Sequence, residues 1–192
     1  MQTDAGNTVK DAQMMEARLQ SLLGAAAPEN RYRWAKEEKS QGRKVIGTVS
    51  PYVPEEMIYA AGMIPLRLWG SNQAALVKAS AHRPPFTNSY HTRLLESLLS
   101  GELDFLDGLV ATDADDSLKR MWDVWVSTKR TKFNYIIHVP NTDSNTAKGY
   151  FALSLRTFLS SLESFADVRV GSEALIESVN LHNLLRSLMR RV

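Results

Sequence analysis

From Lys44 onward the chain alternates short apolar runs with stretches of helical periodicity, and that alternation restricts it to βα units built on a parallel sheet. Strands are predicted at Lys44–Val49, Ile64–Trp69, Gly108–Thr112 and Phe133–Val139. Each is a short run rich in Val, Ile, Leu or aromatic residues, bounded by Gly, Pro, Asp or Asn. Helices are predicted at Pro54–Ala61, Asn72–Ala81, Ser89–Ser100 and Asp116–Thr128. A longer one at Asp143–Phe165 carries Phe151, Leu155, Phe158, Leu162 and Phe165 along one stripe. The expected architecture is α/β, a four-stranded parallel sheet with helices on both faces.

Two appendages flank this α/β domain, which is expected to span residues 44–170. Residues 1–43 read as an N-terminal helical arm: Val9, Met14, Met15, Leu19, Leu22 and Leu23 recur at helical spacing, Gly24 and Pro28 break the run, and the charged segment Glu29–Gln41 follows. Its Arg31, Arg33, Lys36, Lys39, Arg43 and Lys44 are accounted for by a solvated face; the functional counterpart is contact with a ligand's phosphates or an acidic partner. Residues 171–192 read as a C-terminal amphipathic helix. Leu175, Val179, Leu181, Leu184, Leu185 and Leu188 form its apolar side, and Arg186, Arg190 and Arg191 suit the negative pole of its dipole. Such a helix needs a surface for its stripe, either this domain's own sheet or another subunit.

Composition narrows the chemistry. At 192 residues and 44% hydrophobic the chain suffices for one packed core. With 23 Lys+Arg against 21 Asp+Glu, the net charge of +2 gives no footprint for nucleic acid or anionic lipid. There is no Cys, which excludes disulfides, thiolate nucleophiles, zinc ribbons and an iron–sulfur cluster held by this chain's own thiolates. The most apolar stretch, Met57 to Leu68, is interrupted by Pro65 and too short to span a bilayer, and the N-terminus lacks a signal-peptide core. A cytoplasmic protein with neither nucleic-acid nor membrane partners is expected.

Ligands of an open parallel sheet bind beyond the carboxyl ends of its strands. After the first strand comes Ser50-Pro51-Tyr52-Val53-Pro54-Glu55-Glu56. Pro54 suits the first helical position and Glu55 and Glu56 the positive first turn, so helix initiation is sufficient alone. The functional reading adds the Ser50 hydroxyl, the Tyr52 phenol and the Glu56 carboxylate at one edge, enough to orient a substrate or move a proton. After the third strand, Asp113, Asp115 and Asp116 stand in four residues. One of them caps the helix; three together also suit a hard cation. The loop from His82 to Ser89 sets His82 and Arg83 beside a rigid diproline. No pair among His82, His91 and the Asp cluster has one-turn spacing, so no metal site is expected. His138 and His182 are expected to be structural, and Trp122 with Trp125 to pack a helix. No Gly-rich phosphate loop or G-x-S-x-G elbow is present.

The segment KVIGTVSPYVPEEMIYAAGMIPLRLWG resembles the opening of the 2-hydroxyacyl-CoA dehydratase and benzoyl-CoA reductase family, through Tyr52, Pro54, Glu56, Ala60, Ala61, Gly62, Pro65 and Gly70. The resemblance continues through DFLDGLVATDADDSLKRMWDVW and Phe133 to Pro140. The ending SEALIESVNLHNLLRSLMRRV is similar to the helix where members pass into their second half. It implies a cluster-dependent chemistry: members hold an iron–sulfur cluster by cysteines, one in a C-P-F/Y-x-x-S type motif and one in a T-C-D turn, and inject an electron into a CoA thioester. Here Pro84 and Asp115 stand at those two positions, and the third ligand belongs to the second half.

The resemblance therefore implies a chain that holds no cofactor itself and relies on a partner's cluster. It would be a cluster-free small subunit or paralogue of a dehydratase or reductase-like assembly, contributing interface and acyl-CoA pocket beside a homologous Cys-bearing subunit or as a homo-oligomer. The alternatives are a stand-alone redox-free acid–base lyase or hydrolase using the same pocket, and a degenerate binding module. Glu56, Ser50 and Asp115 are the candidate catalytic residues. Tyr52, Glu55, His82, Arg83, Asp113 and Asp116 are the candidate substrate-binding residues.

Overall fold

A computed structural model describes residue 30 and residues 32–70, 76–82, 88–128 and 131–190. The chain divides into two compact units, Met1–Glu38 and Lys39–Val192. Helix α1 (Arg33–Ser40) crosses that division and carries an exposed i,i+4 pair, Arg33 to Glu37, at 3.8 Å. The apolar positions expected to pack in the arm, Val9 to Leu23, lie outside the described residues.

The second unit runs β1 (Val45–Thr48), α2 (Glu55–Ala60), β2 (Ile64–Arg67), α3 (Val77–Ser80), α4 (Ser89–Ser100), β3 (Gly108–Thr112), α5 (Asp116–Thr128), β4 (Phe133–Ile137), α6 (Asn145–Ala166) and α7 (Ser172–Met189). The four strands form one parallel sheet in the order β2-β1-β3-β4, so the α/β expectation is met. Every residue of β1 and β3 is buried, as the unbroken apolar runs require of central strands covered on both faces. Pro65 is tolerated because β2 is an edge strand with a single neighbour.

The stripe expected on α6 packs as read. Phe158 and Leu162 are fully buried against Ile46, Ile58, Val110 and Ile137, with Phe151, Leu155 and Phe165 partly buried beside them. Elsewhere α4 packs on α5 and α5 on β3, burying Leu94, Leu98, Leu109, Met121 and Trp125. Strand β3 begins at Gly108 because β4 runs too close for a side chain. A Cβ there would stand 2.8 Å from the Phe133 carbonyl oxygen and 2.9 Å from Ile46 Cδ1. Gly108→Ala is expected to lower stability by about 1–3 kcal/mol, as overpacking does; a reduced urea midpoint at unchanged slope would register it.

Several boundaries differ from expectation. Strand β3 has the expected bounds, and the other strands are one or two residues shorter, spanning Val45–Thr48, Ile64–Arg67 and Phe133–Ile137. Pro54 is not the first helical residue but the N-cap, with ψ 88° outside the helical basin, and α2 starts at Glu55. Helix α6 begins after Ser144, whose hydroxyl accepts the Ala147 N–H at 3.1 Å, and not at Asp143. The helix expected from Asn72 starts only at Val77, since Leu76 (φ −108°, ψ 60°) is non-helical; residues 71–75 lie outside the described part.

The sequence leaves helix α7 two surfaces for its stripe, this domain's own sheet or another subunit, and its leucines do not cover the sheet. The helix lies on α2 through polar groups: Ser178 Oγ donates to the Glu56 carbonyl at 2.8 Å, and Arg186 pairs with the Glu56 carboxylate. Among the described residues no helix is long and apolar enough to cross a membrane.

Candidate functional site

Parallel register sets Thr48 beside Arg67 at the carboxyl ends of β1 and β2. Pro54 then starts α2 so that its first residue, Glu55, faces both. Glu55 Oε1 accepts from Thr48 Oγ1 at 2.8 Å and from Arg67 Nε at 2.9 Å, with Arg67 Nη2 at 2.7 Å. One carboxylate thus ties two strand ends to the following helix, through charge-assisted bonds.

Immediately beyond lies a pocket of about 350 Å³ lined by Val49, Pro51, Arg67, Leu68, Trp69 and Tyr90. Tyr90, on α4, anchors one wall by donating its hydroxyl to the Leu68 carbonyl at 2.8 Å. Tyr52 and Trp69 are each 58% exposed at this edge. Ser50 is buried, and its Oγ accepts the Tyr52 N–H at 3.3 Å, so it shapes the turn that carries Tyr52.

Glu56 turns elsewhere. Its carboxylate is held by Arg186 of α7. Burial works to raise its pKa, but the Arg186 hydrogen bond and the charges of Arg186 and His182 outweigh this and hold it below the ordinary 4.5. A group with a depressed folded pKa adds stability above its unfolded pKa and loses it as pH falls through the folded value. Arg186→Ala is therefore expected to cost about 1 kcal/mol at neutral pH, the upper end for an ion pair half open to water. Denaturation across acid pH should show the difference from the parent chain vanish below the depressed pKa of Glu56.

The Asp run after β3 divides its labour. Asp113 Oδ2 lies 2.7 Å from His138 Nδ1 and Oδ1 accepts the Val139 N–H at 2.9 Å. Burial raises its pKa, yet those two bonds prevail and lower it. This bridge joins the ends of β3 and β4, so His138 has the structural role expected of it. Asp115 caps α5 by accepting the Leu118 N–H at 2.9 Å. Asp116 is exposed and lies 3.7 Å from Arg120, one helical turn on.

His91, on α4, is buried; its Nδ1 lies 2.9 Å from Ser117 Oγ and 3.7 Å from Asp115 Oδ1. Burial lowers its pKa from 6.5 against the opposing pull of Asp115, which leaves it neutral at pH 7. His82 is exposed, and Arg83 lies outside the described residues. Among the described residues no group of three metal-ligating side chains converges.

The structure thus brings together Glu55, Thr48 and Arg67, with Ser50 and Tyr52 at the same edge, and separates Glu56 from them. Thr48, Arg67, Trp69 and Tyr90 are absent from the candidates drawn from the sequence, and His91 enters them only as a possible metal ligand. Arg67 carried a signal: a charge at the end of the otherwise apolar run IPLR is out of place unless paired. The donor set does not fit a thiolate-held iron–sulfur cluster. The 192 residues contain no Cys, and Asp115 commits a carboxylate oxygen to its helix cap, while Pro84 lies outside the described part.

Residues 51–192 match the family model for the 2-hydroxyglutaryl-CoA dehydratase D-component. The chain is similar to the beta subunit of (R)-2-hydroxyglutaryl-CoA dehydratase from Acidaminococcus fermentans, 30% identical over 154 residues, which cover 79% of this chain and 41% of that protein. It is similar to the beta subunit of (R)-phenyllactyl-CoA dehydratase from Clostridium sporogenes, 30% identical over 155 residues, 80% of this chain and 41% of that one. A benzoyl-CoA reductase subunit from Thauera aromatica is 29% identical over 161 residues, 81% of this chain and 41% of that protein. The chain spans about two-fifths of the length of these curated relatives. A match over well more than half of its residues shows that the chain belongs to the 2-hydroxyglutaryl-CoA dehydratase D-component family.

Proposed function

We propose that this chain is a cluster-free small subunit, or paralogue, of a cytoplasmic 2-hydroxyacyl-CoA dehydratase or benzoyl-CoA reductase-like assembly. It supplies an interface and part of an acyl-CoA pocket to a homologous Cys-bearing subunit. The observation that carries this reading is the strand-end site, an ion-paired Arg67 beside a pocket of about 350 Å³ with mostly apolar walls, in a family member without Cys. A pocket of that size is at the small end for ligands and suits an acyl group, not a whole coenzyme. Arg67 offers a fixed positive charge to a carbonyl oxygen, because Glu55 sets the plane of its guanidinium. Trp69 and Tyr90 exclude water from the acyl chain. An iron–sulfur cluster, in this reading, belongs to the partner, and the residues of this chain bind and orient.

The acid–base alternative draws on Glu56 and Asp115. Arg186 occupies the first and the α5 cap the second, so neither geometry favours it over the subunit reading. Affinity capture of the tagged chain from native extract, read by mass spectrometry, tests the proposal. Recovery of a Cys-rich homologous subunit is expected; a chain that turns over substrate alone as a homo-oligomer overturns it.

A further inference from the structure

The lining of the strand-end pocket discriminates among acyl groups, and the discrimination turns on one ion pair. Among the described residues Arg67 is the one charged side chain of that lining; Val49, Pro51, Leu68 and Trp69 are apolar or aromatic. Tyr90 completes it, and its hydroxyl proton is given to the Leu68 carbonyl at 2.8 Å. Arg67 is not a free cation. Glu55 Oε1 takes its Nε–H at 2.9 Å and lies 2.7 Å from Nη2, so guanidinium and carboxylate together carry no net charge. Glu55 is itself held by the hydroxyl of the fully buried Thr48, at 2.8 Å, which keeps the pair in place.

We infer, on the acyl-pocket reading proposed for this site, that the pocket takes an uncharged, aryl-bearing acyl group of a CoA thioester, and that Glu55 turns away an acyl chain ending in a second carboxylate. A thioester carbonyl oxygen carries only partial charge and needs an N–H donor, which the Nη1 end of Arg67, not engaged by Glu55, can supply. A carboxylate needs a whole counter-charge once it leaves water. Here it meets a cation already neutralised, with the like charge of Glu55 bonded to the same guanidinium, and like charges brought together reject the wrong ligand. An aryl ring has no charge to desolvate, and Trp69 and Tyr90 offer it aromatic partners. In a volume of about 350 Å³ a short aliphatic chain leaves space unfilled and forfeits the contacts that a ring makes.

Calorimetric titration of the assembled complex with phenylpropanoyl-CoA, glutaryl-CoA and CoA alone tests this. Phenylpropanoyl-CoA should bind about tenfold or more tighter than glutaryl-CoA. In Glu55→Gln that ratio should fall about tenfold, whatever loss the two ligands share, because Arg67 then keeps its charge for the ligand. A Glu55 that only holds the strand ends together would weaken both alike and preserve the ratio. Trp69→Ala leaves the ion pair in place and should weaken phenylpropanoyl-CoA more than glutaryl-CoA. If neither thioester binds more tightly than CoA, the acyl pocket is absent and the inference falls with it. If both bind more tightly than CoA, the pocket stands, and three results overturn the inference alone: glutaryl-CoA matching phenylpropanoyl-CoA, a ratio that survives Glu55→Gln, or equal losses in Trp69→Ala.

Discussion

Trp125→Ala is expected to lower stability by about 3–5 kcal/mol, the range for emptying the site of a large buried aromatic. Trp125 is 0% exposed on α5, and its Nε1–H donates to Thr131 Oγ1 at 2.8 Å. Thr131 in turn donates to Asn134 Oδ1 at 2.6 Å, so the indole also ties the turn before β4 to the helix. Truncation leaves a cavity that the packed neighbours on α4 and β3 cannot collapse into without moving whole elements. Trp125→Phe keeps most of the apolar contact and loses one hydrogen bond, and Thr131 retains Asn134; about 1–2 kcal/mol is expected. Urea titrations of the two variants should give midpoints ordered parent, Phe, Ala with a common slope. Against a total of about 5–15 kcal/mol for an ordinary domain, the Ala variant would stand close to unfolding.

Glu55→Ala is expected to act on both stability and binding. It removes the acceptor of a fully buried hydroxyl, Thr48, and of the Arg67 guanidinium, whose side chain is 35% exposed. Unsatisfied groups of this kind cost about 1–3 kcal/mol each when buried, and the partial exposure of Arg67 lets water offset its share. A net loss of about 2–3 kcal/mol should appear in the same titrations. Glu55→Gln keeps an acceptor oxygen without the charge and should lose about half as much. If Arg67 orients an acyl carbonyl, calorimetric titration of the assembled complex with a CoA thioester should show binding weakened about tenfold or more in Glu55→Ala, equivalent to about 1.4 kcal/mol. Equal affinity in parent and variant would remove Arg67 and Glu55 from the pocket's function.

The strands, the long α6 stripe and the strand-end location of polar groups are legible because each is a local property. Ile46 and Val110 sit in unbroken apolar runs, and Phe158 and Leu162 recur with helical period, so burial follows from spacing alone. Neighbouring carboxylates are another matter. Glu55 and Glu56 are equivalent first-turn acids in the sequence, and nothing local separates them. One lies in front of the Thr48–Arg67 pair created by the β1–β2 register, and the other meets Arg186, 130 residues later. Asp113, Asp115 and Asp116 likewise resemble one cluster on paper. They become a bridge to β4, a helix cap and a solvated side chain once the elements around them are placed.

Periodicity and the absence of Cys suffice for a parallel α/β chain that brings no thiolate to its own site, and the family rests on the motif resemblance and the match over residues 51–192. Those are statements about the order of residue types, and chain order carries them whole. Which glutamate meets Arg67, where His91 stands and which side of α7 turns inward are decided only in three dimensions. The physical reason is the same in each case. A helix presents two usable faces and a strand end several polar groups, and the choice rests on partners that only the fold brings near: Arg67 is 12 residues from Glu55, Ser117 26 from His91, and Ser178 and Arg186 122 and 130 from Glu56. Those partners turn the leucine face of α7 outward.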